Sequence, residues 1–259
     1  MASDMNIYAP DYYADFHCTA DRCRHTCCEG WEIDIDEESL KRYLALPGSF
    51  GDRLRSGISQ TETPHFILNH ERCPLLNDNN LCDLILQCGE QALCQICADH
   101  PRFRNFWSGR VEVGLGMACE EAARLILSAG HPMKLVRLAG DGSERLDETE
   151  VWLMTVRQNL LDGIRDSGPP ARLREYLIYR HIPDALYDNR LEERIAFVEK
   201  SCNLILHGWD GTSLSDLIER ARQFSNEIEY DDEKLEIMIG GKRDFFSEPS
   251  EKESGKGEQ

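Results

Sequence analysis

Apolar residues recur at three- and four-residue spacing through Glu148–Ile164, Arg172–Arg180, Arg190–Leu206 and Ser213–Ile228. That is the period of helices burying one face. Gly168-Pro169-Pro170, Ile182-Pro183 and Gly208 interrupt the pattern, so short connections are expected there and a small helical bundle overall. Upstream the pattern is shorter-ranged. Asp36 is placed to cap a helix from Glu37 to Leu46, which Pro47-Gly48 should stop. His65–Leu68 predicts a short strand, and Asn77–Asn80 a turn that sets Cys73 and Cys82 facing each other across a hairpin-like loop. Cys88–Cys97 predicts a helix ended by His100-Pro101, Val111–Val113 a strand, and Cys119–Ser128 a helix with Ala122, Leu125 and Ile126 on one face. No internal repeat is visible.

Composition sharpens the division. Of eleven cysteines in 259 residues, ten lie between Cys18 and Cys119 and only Cys202 beyond. The expected fold class is therefore mainly α with a small β hairpin element: an irregular cysteine-rich metal domain followed by a helical bundle. The boundary is placed at the Gly130-His131-Pro132 turn. Residues 1–130 form the metal-binding domain, 131–239 the helical domain, and 240–259 a disordered acidic tail with too little apolar surface to offset the cost of ordering it.

Mean hydropathy is −0.49, and no run of about 18 apolar residues is present, so no membrane span is expected. Met1–Phe16 carries three aspartates and no apolar stretch with a cleavage site, which predicts a cytoplasmic protein. In a reducing compartment, cysteines at this density read as metal ligands or catalytic thiols rather than disulfides, and the odd count and the adjacent Cys27-Cys28 speak against disulfides too. The net charge of −18 disfavours nucleic acid, which needs clustered Lys and Arg. It favours approach of a basic or lysine-presenting partner, with solubility as the simpler role for most of the acidic surface.

The first thiol group is Cys18-x4-Cys23-x3-Cys27-Cys28, with Cys23 and Cys27 expected on one face of a helix. The second is Cys73, Cys82, Cys88, Cys94 and Cys97, and Cys119 opens a helix of its own. Cys94-x2-Cys97 is the only C-x2-C pair, whereas structural zinc sites usually repeat such pairs. The ferredoxin run is missing too. Spacing leaves zinc and iron–sulfur both open. His17 and His25 flank the first cysteines but read as polar loop residues. His100 is close enough to Cys97 to support it, and Arg102 could bond a cluster sulfide or a carboxylate. Val111–Ala118, with Gly114 and Gly116, has the look of a cofactor-binding strand and loop, but no doubly wound sheet can follow it. It reads instead as a strand, a turn and the helix carrying Cys119.

The order Phe16-His17-Cys18, Cys23, Cys27-Cys28-Glu29-Gly30-Trp31, then Cys73-Pro74-Leu75-Leu76-Asn77-Asp78, Leu81-Cys82, Leu93-Cys94-x2-Cys97-x2-His100-Pro101-Arg102-Phe103, resembles the bacterial flagellin lysine-N-methylase family. Glu112-x-Gly114-Leu115-Gly116-x2-Cys119 and the helix after it continue the match, which covers about residues 7–129. The resemblance implies methylation of flagellin lysines, with S-adenosylmethionine as donor and a bound [4Fe-4S] cluster. The family-like metal ligands it implies are Cys18, Cys23, Cys27, Cys28, Cys73, Cys82, Cys97 and Cys119. Cys94 fits part of the family, and Cys88 and Cys202 lie outside its pattern. The expected partner is flagellin or another lysine-presenting protein. The chain is shorter than typical members, and the alternative is a non-catalytic zinc- or iron-chelating module. Trp31 and Trp107 could face a sulfonium, with core packing as their simpler role.

Overall fold

The structure, a computed structural model, describes residues 5–240. Its strands are β1 (Asn6–Pro10), β2 (Ile58–Ser59), β3 (His65–Phe66), β4 (Arg102–Phe106), β5 (Arg110–Leu115) and β6 (Leu135–Ala139). The helices of the first half are α1 (Glu37–Ala45), α2 (Gly48–Ser56), α3 (Asp83–Cys88), α4 (Gln95–Asp99) and α5 (Glu120–Ser128). Those of the second are α6 (Glu148–Asp162), α7 (Gly168–His181), α8 (Ala185–Asp188), α9 (Leu191–Leu206), α10 (Leu214–Phe224) and α11 (Asp232–Ile239). The chain is mainly α, as expected.

The small hairpin expectation needs correction. The main sheet has four strands in the order β4-β5-β1-β6, with β1 parallel to β5 and the other neighbours antiparallel. The sequence pattern missed β1, β4 and β6. β6 reads Leu-Val-Arg-Leu-Ala with Val136 and Leu138 exposed, so no alternation betrays it. It follows the Gly130-His131-Pro132 turn and returns to pair with β1, which lies far away in sequence. Asn6 holds this return: its side chain donates to the Ser143 carbonyl (2.8 Å) and accepts from the Gly142 amide (2.8 Å). Gly140, at φ +90°, passes so close that a Cβ would sit 2.2 Å from Asn6 Oδ1, so only glycine fits.

Pro47-Gly48 stops α1 but starts α2 at once. The Cys88–Cys97 helix does not form as one piece: Gly89 at φ +84° ends α3 at Cys88, and a 3-10 turn, Glu90–Ala92, precedes α4. Gly168-Pro169-Pro170 is the first turn of α7, where proline's missing amide costs nothing. The expected helix through Ile228 ends at Phe224 and passes into a π-helical turn, Ser225–Glu229. The expected tail lies outside the described residues beyond Gly240, the left-handed cap of α11.

Two hydrophobic clusters result. One joins α5, α7, α9 and α10 through Leu115, Ile126, Leu173, Leu177, Phe197, Leu217 and Ala221, and takes in Cys202, only 1% exposed. The other gathers Ile33, Tyr43, Leu54, Phe66, Leu75 and Leu84 with Cys73 and Cys94. Asp36 ties the second together. Its carboxylate accepts from Ser39 N at the start of α1 (2.9 Å) and from Gln95 N at the start of α4 (2.8 Å). Asp36→Ala therefore removes two caps at once and should cost about 1–2 kcal/mol in urea denaturation. No measurable loss would mean that water replaces both bonds.

Candidate metal centre

The thiols fall into two neighbourhoods. Cys18, Cys23 and Cys27 lie on an irregular loop containing one 3-10 turn, Ala20–Arg22. The expected helical face for Cys23 and Cys27 is not formed. The loop is pinned instead from outside: Arg24 donates from its amide (3.1 Å) and its Nε (2.7 Å) to the Glu120 carboxylate, at the start of α5. His25 Nε2 lies 2.8 Å from Glu219 on α10. These contacts bring the loop to Cys119, the N-cap of α5. Cys23 and Cys18 lie near enough to push the Cys119 thiol upward, and Cys27 is pushed upward by Cys28 first, then by Cys18 and Cys119.

The second neighbourhood lies on the other hydrophobic cluster, against which Cys28, Cys73, Cys82, Cys94 and Cys97 all pack. The segments 28–30 and 71–73 run together, with Cys73 N donating to the Cys28 carbonyl (2.8 Å) and Gly30 N to Glu71 (2.9 Å). An Arg72–Glu29 ion pair closes them. The turn at 77–80 forms as expected, but Leu76 rather than Cys73 pairs with Cys82 across it. Cys28, Cys82 and Cys94 still lie near enough to push the Cys73 thiol upward, as Cys94, Cys28 and Cys73 do for Cys97. Cys88 packs on the same cluster.

Burial pushes the Cys73 thiol up to about 12 and that of Cys119 to about 11. Burial also raises Cys23, whose Sγ–H donates to the His25 carbonyl (2.9 Å). Two thiol pairs shift one another. The adjacent Cys27 and Cys28 act on each other, Cys27 being raised and Cys28 lowered to about 7; Cys97 and Cys94 behave alike, Cys97 raised and Cys94 brought to about 7.

By chemistry alone, partly buried thiols are the donor type that a thiophilic metal takes. Among the described residues, no three His, Cys, Asp or Glu side chains are drawn into a metal-sized shell as they stand. Ligands are therefore assigned by neighbourhood only.

The remaining candidates take other roles. Arg102 Nε donates to the Tyr13 hydroxyl (3.0 Å) and its guanidinium lies over the Tyr13 and Phe16 rings, so it holds the first loop rather than a carboxylate. His100 is pushed down to about 4 by burial, with Arg102 adding to the effect, and its ring lies 6.4 Å from Trp31. Trp31 Nε1 donates to the Cys27 carbonyl (2.8 Å). His17 Nδ1 lies 2.6 Å from the Phe16 carbonyl. Trp107 is a core residue with Arg157 over its ring. Gly114 and Gly116 are packed rather than open, since a Cβ would strike the Phe103 ring at 2.3 Å and the Tyr230 hydroxyl at 2.3 Å.

Two buried charge networks went unseen in the sequence. Glu112 on β5 meets Arg157 and Arg110, and Glu229 on the π-turn meets Tyr176, His181 and Arg180. Only the position of Glu229 after a helical pattern could have hinted at either.

No family model and no solved structure matches this chain. Curated relatives do. The chain is 26% identical over 147 residues to a lysine-N-methylase of Salmonella choleraesuis and 27% identical over 143 residues to one of Salmonella typhimurium. Each match covers 51% of this chain and 35% of the relative. It is also 26% identical over 143 residues to the flagellar biosynthetic protein FliU of Salmonella muenchen, covering 51% of this chain and 83% of that one. The chain thus spans about a third of the length of the two lysine-N-methylases. Over about half its own length this chain is similar to curated lysine-N-methylases, the family that its cysteine order resembles.

Proposed function

We propose that this chain acts in methylating the ε-amino groups of flagellin lysines, with S-adenosylmethionine as donor and a [4Fe-4S] cluster held by its thiols. The observation that carries the reading is the similarity to proteins named lysine-N-methylase over about half the chain. The ligands would come from Cys18, Cys23, Cys27, Cys28, Cys73, Cys82, Cys97 and Cys119, with Cys94 beside them. When bound, the cluster supplies a Lewis-acidic iron centre in a fixed thiolate frame.

The chain's own residues account for the rest. The net charge of −18 draws a lysine-bearing surface inward. Around the first thiol loop, Glu120 and Glu219 are engaged by Arg24 and His25, which positions the loop between α5 and α10. The transfer is an in-line attack of an uncharged amine on the sulfonium methyl, so the lysine must shed its proton before reaction. Among the described residues no helix is long and apolar enough to cross a membrane, in keeping with a cytoplasmic site of action.

The test is donor binding followed by transfer, on protein reconstituted anaerobically with iron and sulfide. Donor at about 100 times its dissociation constant should add roughly 2.7 kcal/mol of stability, read as a rise in melting temperature. Flagellin incubated with both should gain methyl-mass increments on lysine. Bound iron with neither a thermal shift nor added mass would leave the non-catalytic chelating module as the reading.

A further inference from the structure

We propose that the methyl donor binds in a cleft between β6, α6 and α7, with Lys134 taking its carboxylate and Asp162 its ammonium. The inference rests on the methylation reading above and gives its donor a place.

The cleft measures about 510 Å³, within the range of roughly 300–1,000 Å³ usual for small-molecule sites. α6 turns one face to it, through Met154, Arg157, Gln158, Leu161 and Asp162. These recur at the three- and four-residue spacing of neighbours on a helix surface. Glu175 and Tyr179, four apart on α7, and Leu135 at the start of β6 line it from other sides. None of its lining residues is a cysteine.

Polar groups of both signs are left over there. Lys134 and Asp162 enter no ion pair among the described residues; Lys134 bonds Asp11 through its amide, and Asp162 accepts from Gln158 Nε2 (2.8 Å). Arg110 lines the cleft as well. Its Nη2 meets Glu112 and its Nη1 lies 3.5 Å from Glu144, but its Nε is buried with no hydrogen-bond partner among the described residues. Such a donor is destabilising until a ligand or water supplies an acceptor. Met133, Leu135, Met154 and Leu161 are half-buried, so the cleft also has apolar wall.

S-adenosylmethionine carries a carboxylate and an ammonium at one end and a flat adenine, edged with acceptor nitrogens, at the other. One unpaired cation, one unpaired carboxylate, apolar walls and an unmet donor complement that distribution. A second cleft, of about 390 Å³ beside α9, does not offer the same, because its Arg174 already meets Asp166 and Glu199.

The experiment is calorimetric titration of S-adenosylmethionine into the anaerobically reconstituted full chain, with bound iron measured on the same samples. One donor per chain is expected. Lys134→Glu and Asp162→Lys should each weaken binding about tenfold or more, with iron content and melting temperature unchanged. Asp166→Lys, the same change of charge outside the cleft, should bind as the unaltered chain does. Hydrogen exchange on the unaltered chain needs no variant: donor should slow exchange at 134–139 and 154–162 and leave 18–30 as it was. Full-strength binding by both cleft variants, or protection confined to 18–30, would overturn the cleft assignment while leaving the methylation reading intact. No binding to the unaltered chain would remove both.

Discussion

Replacing Glu112 with alanine should destabilise the fold by about 3–5 kcal/mol, because it strands a buried guanidinium. The Glu112 side chain is fully buried and accepts from Arg157 at 2.5 and 2.8 Å, with Arg110 as a second partner. Arg157 is 5% exposed and sits against the rings of Trp107 and Tyr179. Those faces partly compensate a cation but cannot replace a carboxylate. The network joins β5 to α6, so its loss acts where the sheet meets the helical layer. Changing both Glu112 and Arg157 to leucine should restore most of the loss, since the buried Arg157 charge is then gone and Arg110 keeps Glu144 at 3.5 Å. Urea denaturation at neutral pH measures both. A single-variant loss below about 1 kcal/mol would mean that water reaches Arg157, contrary to its burial.

Acid should unfold the helical core through Glu229. Burial by itself would raise this carboxyl, but Arg180 and His181 outweigh it and hold the group at about 2 against an ordinary 4.5. The Tyr176 hydroxyl donates to it (2.8 Å), as does His181 Nε2 (2.6 Å), which must carry the proton because a carboxylate only accepts. The sign follows from linkage. A depressed carboxyl contributes stability that is fully present above 4.5 and lost as pH falls through 2. His181, lowered by burial from its ordinary 6.5, adds to the loss in the same direction, because only the unfolded chain takes up its proton on acidification. Unfolding free energy should therefore decline below about pH 6.5 and continue to about pH 2, with Glu229 accounting for about 3 kcal/mol. Glu229→Gln should lower stability at neutral pH and flatten the decline below 4.5. An acid transition identical to that of the unaltered chain would dismiss this account.

The helical half was legible because helix formation answers to a period of three to four residues, which any stretch of chain displays by itself. α6, α7 and α9 lie within a few residues of where the apolar pattern put them, and Asp36 caps α1 as its position announced. Cys202 likewise shows its burial in the pattern around it. The cysteine order, also local, sufficed to point to the relatives later found. What the sequence withheld depends on partners distant along the chain. β1 is a strand because β5 and β6, each about a hundred residues or more away, supply its hydrogen bonds, and β6 pairs only with β1 and carries no alternation of its own. Arg24 meets Glu120, and Asp36 reaches Gln95, through backbone paths that no spacing rule contains. The grouping of thiols is of the same kind. Cys27 and Cys28 are neighbours in sequence, yet Trp31 anchors one and Cys73 the other. The residue types that could bind a metal were written in the chain, while which of them stand together was decided by how its two hydrophobic clusters pack, since burial is set by three-dimensional neighbours rather than by order along the backbone.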